Sequence, residues 1–516
     1  MRYRSAPASP TSATPRLGWM LAATALIALV PFLVARIPTM TDLPGHLGRY
    51  AVMLDGGRSP FLASYYQFEW RLVGNLGVDL LVRLLGPALG VENAARLVAA
   101  GIAPLTIAGI AATSRALHGR IQPGAVLAAC FVFANPLMFG FVNYCLSFAL
   151  ALLSFAAWIA LRERRWWVQF LATAPLVFLT WLAHAMGWGV LLLMVAGFEA
   201  ERLWRRRSAE ALGDALLRGL VFLPPMLATV LWRGGAQGVL YAYGTAVLKR
   251  KIMNWVVVLR GEAKWIDIPT PIIIGGVTGY TLWRRFQMLD PRAAAGGVLL
   301  SLATFAMPMT LMGSWGADER LVPAAVIALL LSLRWTGSAR SAVHAAALAL
   351  ALFGVRVALI ARDWHRFDAD YTAALADLDQ VPRGARIHTL VHGTCRTPWQ
   401  SSAWNHLAGY AMARRDALVN TQWHLPGAAL LKVIYPLPQG LAHDPSQQLE
   451  LVDCDGNRSL APLHRRLAQL DGRHWDYVWM LRTGGETNLW PGHAPIHTSP
   501  HSALFRIAPI RTERTR

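Results

Sequence analysis

The residues best suited to chemistry lie in a short polar stretch, Thr41-Asp-Leu-Pro-Gly-His-Leu-Gly-Arg49, directly after the first apolar segment. Asp42 has the chemistry of a general base, which takes a proton from an acceptor hydroxyl. Its alternative roles are to cap the following helix or to pair with Arg49. His46 shares a face with Asp42 if the stretch is helical, although a lone histidine is more often structural. The stretch therefore predicts a candidate catalytic base with His46 and Arg49 beside it.

Two further groups have the chemistry to bind phosphate. Arg320 follows two acids and can grip a phosphate through two N–H groups. The alternative is an arginine that reaches lipid headgroups or pairs with Asp318. Lys249, Arg250 and Lys251 either bind a pyrophosphate or anionic headgroup or form a solvated basic face. We predict that these groups contribute to a substrate site.

The remaining histidines and the cysteines give weaker signals. His184, between two apolar runs, either reaches the same cavity or is a hydrogen-bonded core residue. Eleven of the 15 histidines lie after residue 361 without an HExxH pattern, which favours surface or hydrogen-bonding roles over a metal site. None of the four cysteines forms a CxxC pair. A disulfide between Cys395 and Cys454 is a hypothesis, because both follow the last apolar run.

The elements that must position these groups are membrane helices. Of the 516 residues, 55% are apolar and 15% are charged, whereas soluble domains carry about 25% charge. Apolar runs of helix length predict about eleven spans and exclude a purely soluble enzyme. The predicted spans are 17–36, 94–114, 123–140, 143–161, 167–183, 185–201, 215–232, 269–283, 294–313, 320–333 and 341–361.

The distribution of arginine predicts the orientation of these spans. The net charge is +20, and 17 basic residues lie in the six segments 1–16, 115–122, 162–166, 202–214, 284–293 and 334–340. The short connections 141–142, 184 and 314–319 contain none. By the positive-inside rule, the N-terminus is cytoplasmic, and an odd number of spans places the tail outside. The charge is thus a topology signal, and we predict no nucleic-acid partner.

Hydropathy divides the chain into three parts. Residues 1–16 form a disordered leader, 17–361 a transmembrane domain with a long outer segment at 37–93, and 362–516 an outer α/β domain. Within the outer segment, Val73–Gly90 predicts an amphipathic interfacial helix, because Asp79 and Arg83 are costly inside a bilayer. The tail predicts strands at Ala385–Val391, Tyr477–Leu481 and Ala503–Ile507, and helices at Ser402–Arg414 and Leu460–Leu470.

This layout resembles the GT-C class of polytopic glycosyltransferases, in particular the bacterial branch related to protein O-mannosyltransferases and aminoarabinose transferases. The architectural resemblance covers nearly the whole chain. Four short phrases also look like that branch: Asp42-Leu-Pro-Gly-His46, Gly140-Phe-Val-Asn-Tyr144, His184-Ala-Met-Gly187 and Asp318-Glu-Arg-Leu-Val-Pro323.

The resemblance implies transfer of a sugar from a polyprenyl-phosphate carrier to a lipid, glycan or protein acceptor. The reaction is expected at the outer face of the bacterial inner membrane. The family's catalytic acid in the first outer loop maps onto Asp42. Many members have two adjacent acids there, whereas Leu43 follows here, which leaves the use of a divalent metal open; no other cofactor is implied.

Two non-enzymatic functions are the alternatives. A transporter or flippase for lipid-linked sugars typically shows paired repeats and broken helices, and the spans show neither repeats nor charged pairs at depth. A membrane protein that assembles surface polysaccharide without catalysis is the third interpretation. No P-loop, GxGxxG, GxSxG or kinase signature is present.

Overall fold

A computed structural model describes residues 13–233, 241–261, 263–393, 399, 403–425, 429–441, 444–452, 456–486 and 488–507. Within these ranges the chain is mostly helical and ends in a small sheet domain. The helices are α1 (Ala13–Ile27), α2 (Val30–Val34), α3 (Leu43–Asp55), α4 (Pro60–Tyr65), α5 (Gly77–Leu89), α6 (Val91–His118), α7 (Pro123–Ala129), α8 (Asn135–Phe139), α9 (Val142–Leu161), α10 (Trp166–Ala183), α11 (Ala185–Arg206), α12 (Ala209–Gly219), α13 (Leu223–Arg233), α14 (Val247–Val256), α15 (Lys264–Asp267), α16 (Pro269–Trp283), α17 (Pro291–Ala306), α18 (Ala317–Leu331), α19 (Ala339–Leu375), α20 (Gly409–Arg415) and α21 (Ala461–Ala468).

Six helical segments of the described chain are long and apolar enough to cross a membrane, and the protein is an integral membrane protein. They match six of the predicted spans, namely those that begin at 17, 94, 143, 167, 215 and 341. The segments are Pro15–Val34, Val91–His118, Val142–Leu161, Trp166–Ala183, Ala209–Trp232 and Ala339–Gln380.

The other five predicted spans are not confirmed, so the number eleven is not confirmed either. The run 123–140 forms two short buried helices, α7 and α8, separated by turns before Pro136. Helix α11 is long, but Glu199, Glu201 and Arg202 interrupt its apolar sequence. Helices α16, α17 and α18 have 15, 16 and 15 residues, shorter than the roughly 20 residues that a bilayer core requires.

Helices α3 and α5 form the outer segment beside this bundle. Pro44 begins α3, because its fixed φ suits the first turn, and Gly56 ends it with a left-handed φ of 62°. Helix α5 covers most of the predicted amphipathic helix and buries Asp79, whereas Arg83, one turn later, is exposed. The two helices pack against each other and against α6.

Helix α19 connects the bundle to the tail as one continuous helix of 37 residues. It passes residue 361 without interruption and ends at Leu375. Inside the predicted span 341–361 it carries Arg356, whose Nε lies 2.7 Å from Oδ1 of Asp267, and both side chains are buried. Asp267 lies in α15, outside the predicted spans, so this pair joins a span to the connection before α16 and is not a pair between two spans.

The tail domain is a six-stranded sheet with a parallel centre. The strands of the described residues are β1 (Tyr66–Phe68), β2 (Tyr241–Ala242), β3 (Gln287–Leu289), β4 (Thr310–Leu311), β5 (Leu333–Trp335), β6 (Arg386–Gly393), β7 (Leu418–Val419), β8 (Leu431–Val433), β9 (Gln448–Glu450), β10 (Tyr477–Leu481), β11 (His497–Ser499) and β12 (Ser502–Arg506). In the sheet, β6 pairs in parallel with β10, β7 and β9, while β12 pairs antiparallel with β10. The predicted small α/β domain is present, and β6, β10 and β12 occupy the three predicted strands within two residues.

The predicted tail helices are shorter in the structure. The described part of 402–414 begins with turns at 403–408 before α20, and α21 covers the centre of 460–470. Strands β7, β9 and β11 were not predicted, because two or three residues give no readable alternation. Cys395 and Cys454 lie outside the described residues, so their disulfide stays a prediction.

The tail docks on α3 through close backbone contacts. A Cβ on Gly409 would lie 1.8 Å from the carbonyl oxygen of Pro44, so glycine is required there. The Gln422 side chain donates a hydrogen bond to the Gly45 carbonyl at 3.0 Å. Strands β1 and β8 add an antiparallel pair between the outer segment and the tail. The tail and the stretch that carries Asp42 therefore lie together.

Candidate functional site

Two segments far apart in sequence fix the backbone of Asp42. Its N–H donates to the Phe139 carbonyl at 2.9 Å, and its carbonyl accepts from the N–H of His46 at 3.0 Å. Gly140 has a φ of 91°, and a Cβ there would lie 2.9 Å from the Asp42 nitrogen. Only glycine fits this close approach at a left-handed φ. The Gly140 and Asp42 phrases thus meet at one point.

The carboxylate of Asp42 has neither of the two alternative roles. It directly precedes α3, yet within the described chain its side chain makes no capping hydrogen bond. Arg49 pairs with Asp79 instead, with Nη2 3.0 Å from Oδ2. Asp42 therefore keeps a carboxylate that is not engaged by its own helix.

The tail supplies the nearest groups to this carboxylate. Nε2 of His406 lies 3.7 Å from Oδ1 of Asp42 and 3.5 Å from Oδ1 of Asp444. Nδ1 of His406 lies 3.3 Å from the Thr421 carbonyl, which accepts a hydrogen bond from Nδ1–H, so that Nε2 faces the two acids. His406 is buried and has a φ of 63°, an uncommon conformation outside glycine that concentrates at functional sites.

An aromatic ring packs beside the same groups. Trp423 follows the carboxyl end of β7, and its ring centroid lies 4.5 Å from that of His406 and 5.0 Å from that of His46. Its indole N–H donates to Oδ2 of Asp444 at 3.1 Å. The ends of parallel strands are where α/β sheets usually bind ligands, and here that end faces Asp42.

This environment raises the pKa of Asp42 to about 6. Burial is the main cause, since it disfavours the charged form, and the charge of Asp444 acts in the same direction. The positive charges of His406 and Arg320 lower the pKa. A carboxyl with such a pKa is ionised at neutral pH and is a stronger base than an ordinary aspartate.

His46 lies on α3 beside Asp42 but makes no ion pair in the described chain. Its pKa is lowered well below the usual range, first by burial and then by the charges of Arg49, His406 and Arg320. Its Nδ1 is buried without a hydrogen-bond partner among the described residues. His46 is therefore a neutral side chain at neutral pH, and its ring stacks with that of Tyr50 and packs at a tilt against that of Trp423.

Arg320 is buried on α18 and faces the same site. Its guanidinium donates to Oγ of Ser314 and to the Trp315 carbonyl, both at 2.8 Å, rather than to Asp318. It also lies over the Phe141 ring at 3.8 Å from the centroid. Its positive charge lowers the pKa of Asp42. Pairing with Asp318, one of the alternatives, was therefore wrong.

The basic cluster 249–251 divides into three different environments. Lys251 is buried, and its ammonium lies 2.9 Å from Oδ2 of Asp318. Arg250 is partly exposed, with Nε 3.5 Å from the same oxygen. Lys249 is exposed. The cluster is therefore not a uniformly solvated basic face, because Asp318 pairs with two of its three cations.

His184 caps α11, since its Nδ1 accepts a hydrogen bond from the Met186 N–H at 3.1 Å. Its ring lies edge-on to Tyr144 at 5.9 Å, and the Tyr144 hydroxyl donates to the Arg320 carbonyl at 2.5 Å. His184 therefore has a hydrogen-bonding role at the margin of the site. The segment from Gly140 to Tyr144 thus contacts Arg320 through both Phe141 and Tyr144.

Sequence reasoning missed the tail's contribution. His406 was one of eleven tail histidines without a distinguishing pattern, and neither Asp444 nor Trp423 stood out. The only local signal is that Trp423 follows a strand end. Within the part of the chain that the structure describes, no three His, Cys, Asp or Glu side chains converge as metal ligands.

Comparison with known proteins supports the fold. Two solved structures, of ArnT from Cupriavidus metallidurans bound to undecaprenyl phosphate and of the same protein in the apo state, each align with a TM-score of 0.50 and 10% identity, over 97% of this chain and 100% of theirs. The mycobacterial arabinofuranosyltransferase AftD aligns with a TM-score of 0.48 and 15% identity, over 97% of this chain and 40% of AftD. No family model and no curated protein matches. At this identity the ArnT likeness shows the fold, and the predicted GT-C architecture is confirmed.

Proposed function

We propose that the chain is a membrane glycosyltransferase that moves a sugar from a polyprenyl-phosphate donor to a cell-envelope acceptor. The observation that carries the proposal is the Asp42 carboxylate, which is only 15% exposed, is unpaired by the helix it precedes, and lies where α3, the Arg320 helix and the tail converge. The fold shared with ArnT, solved with undecaprenyl phosphate bound, supports the donor class.

Asp42 is the proposed general base. Its carboxylate takes the proton from an acceptor hydroxyl as that oxygen bonds to the anomeric carbon of the donor. The bond between the anomeric carbon and the phosphate oxygen breaks, and the polyprenyl phosphate leaves with the bonding electrons. The buried positive charge of Arg320 is suited to stabilise the phosphate as its charge develops.

Lys249 and Arg250 are proposed to attract the donor phosphate from the outer surface. Lys249 is exposed, and Arg250 reaches from the surface to the Asp318 carboxylate. The charge of Lys251 is neutralised by Asp318, and Lys251 is proposed to shape the side of the site beside Asp318. His46 and His184 are proposed to line the site as uncharged groups, whereas the buried pairing of Arg49 removes it from direct phosphate binding.

We further propose the orientation predicted from charge, with a cytoplasmic N-terminus and a periplasmic tail in a bacterial inner membrane. Asp42 follows the first span, and the tail contacts Asp42. An even number of crossings must therefore separate Asp42 from the tail, which supports an odd total. A periplasm-only reporter fused to residue 516 tests this, and a silent reporter would contradict it.

The decisive experiment is transfer by purified protein from a panel of labelled polyprenyl-phosphate sugars to envelope acceptors, with and without a chelator. We expect turnover by wild type and a loss of about 100-fold or more in Asp42→Asn. Asp379→Asn is the matched control, because that carboxylate is 74% exposed in the tail. Wild-type-like turnover by Asp42→Asn would refute the mechanism, and inactivity of wild type on every donor would favour transport.

A further inference from the structure

A buried ion pair joins α3, the helix that Asp42 precedes, to α5. Nη2 of Arg49 lies 3.0 Å from Oδ2 of Asp79, and the two side chains are 8% and 0% exposed. Arg49 comes seven residues after Asp42, which is two turns of helix and therefore the same face. Side chains on a helix lean toward its N-terminus, so the guanidinium of Arg49 leans toward Asp42 unless another group holds it.

Asp79 is itself held firmly by groups from another helix. Nδ2 of Asn143 donates to Oδ2 of Asp79 at 3.1 Å, and its Oδ1 accepts from the Val78 N–H at 2.6 Å. Asp79 is in the first turn of α5, where a carboxylate is favoured by the helix dipole. The acid is therefore held in place by contacts that join α3, α5 and α9 at one point.

We propose that Asp79 is a positioning residue that retains Arg49 and so keeps the carboxylate of Asp42 available to the acceptor. This inference rests on the proposed function. Without Asp79, Arg49 would be a buried cation without a carboxylate partner, a costly state. The other carboxylate on this helix face is Asp42, and an Asp42–Arg49 pair would occupy the base and weaken its basicity.

The charges around Asp42 explain why Arg49 must be held away from it. His406 and Asp444 face it from the tail, Arg320 faces it from α18, and His46 lies beside it on α3. Two nearby cations already offset part of the effect of burial. A third cation, Arg49, would take the carboxylate toward an ordinary aspartate, which is a weaker base.

The test compares wild type, Asp79→Asn and Asp79→Asn/Arg49→Gln. For Asp79→Asn we expect transfer at neutral pH to fall at least about tenfold and the acid limb of its pH profile to move down by about one unit. The double variant has no cation to release. Its transfer rate is therefore expected to return to within about threefold of wild type, and the midpoint of its pH profile to within a few tenths of a pH unit.

A second readout does not depend on turnover. Carbodiimide modifies a protonated carboxyl, so the pH dependence of Asp42 modification, followed by peptide mass spectrometry, reports its titration directly. The midpoint should fall in Asp79→Asn and recover in the double variant. An unchanged midpoint in folded Asp79→Asn, or a double variant no better than the single one, would overturn the inference. If wild type transfers no sugar but these labelling shifts occur, the proposed function fails and the positioning role stands.

Discussion

Replacement of His406 by glutamine is the sharpest probe of the electrostatics around Asp42. The substitution removes a positive charge near the proposed base and keeps a side chain of similar size and polarity. Burial raises the pKa of Asp42, and the charge of His406 is the largest of the effects that lower it. Its removal should therefore raise that pKa above its present value of about 6.

The magnitude follows from the geometry. Nε2 of His406 lies 3.7 Å from the Asp42 carboxylate. At an effective dielectric constant of about 20, unit charges about 4 Å apart interact with about 4 kcal/mol, an upper value. The imidazolium charge is shared with Asp444 at 3.5 Å. We therefore expect a rise of about one pKa unit, equivalent to about 1.4 kcal/mol.

The assay is kcat/KM for sugar transfer between pH 4.5 and 9, which reports the ionisation of the free enzyme. The ionised carboxylate is the active form. In wild type, activity should fall about tenfold for each pH unit below about 6, the pKa of Asp42. In His406→Gln the midpoint should lie near pH 7 by the same reasoning.

His464→Gln is the matched control, because His464 is an exposed histidine on α21 of the same domain. Its profile should overlay that of wild type. A wild-type midpoint near 4, the ordinary aspartate value, would refute the role of burial. A midpoint in folded His406→Gln that stays in place or moves down would refute the role of the His406 charge.

The other predictions concern the ion pair and the docking that build the site. Asp318→Asn leaves the buried ammonium of Lys251 without its carboxylate and should lower stability by about 3–5 kcal/mol, measured as a fall in Tm in detergent; an unchanged Tm would contradict this. Gly409→Ala places a Cβ 1.8 Å from the Pro44 carbonyl and should loosen the tail from α3, seen as faster limited proteolysis and lost transfer. Gly354→Ala, in a helix position with open space around it, is the control, and equal proteolysis of the two variants would contradict the docking argument.

Much of the fold could be read from the sequence, because the relevant signals are local. Long apolar runs predict membrane helices whatever surrounds them, and six matched helices long enough to cross. The alternating tail sequence predicted β6, β10 and β12 for the same reason. The five other runs are not confirmed as spans, because an apolar stretch of about 15 residues has the same sequence pattern whether it crosses a bilayer or packs inside a protein.

The sequence by itself determined the candidate base. Asp42 stands out through a local pattern, an acid beside proline after the first span. What only the tertiary structure decided is which charges surround it. Arg49 is on the same helix yet pairs with Asp79, while His406 reaches Asp42 from 364 residues away along the chain. Single-sequence patterns report periodicity over a few turns, whereas ion pairing depends on which helices and strands pack together. That packing, which includes the close contact of Gly409 with Pro44, encloses most of the Asp42 carboxylate and raises its pKa to about 6.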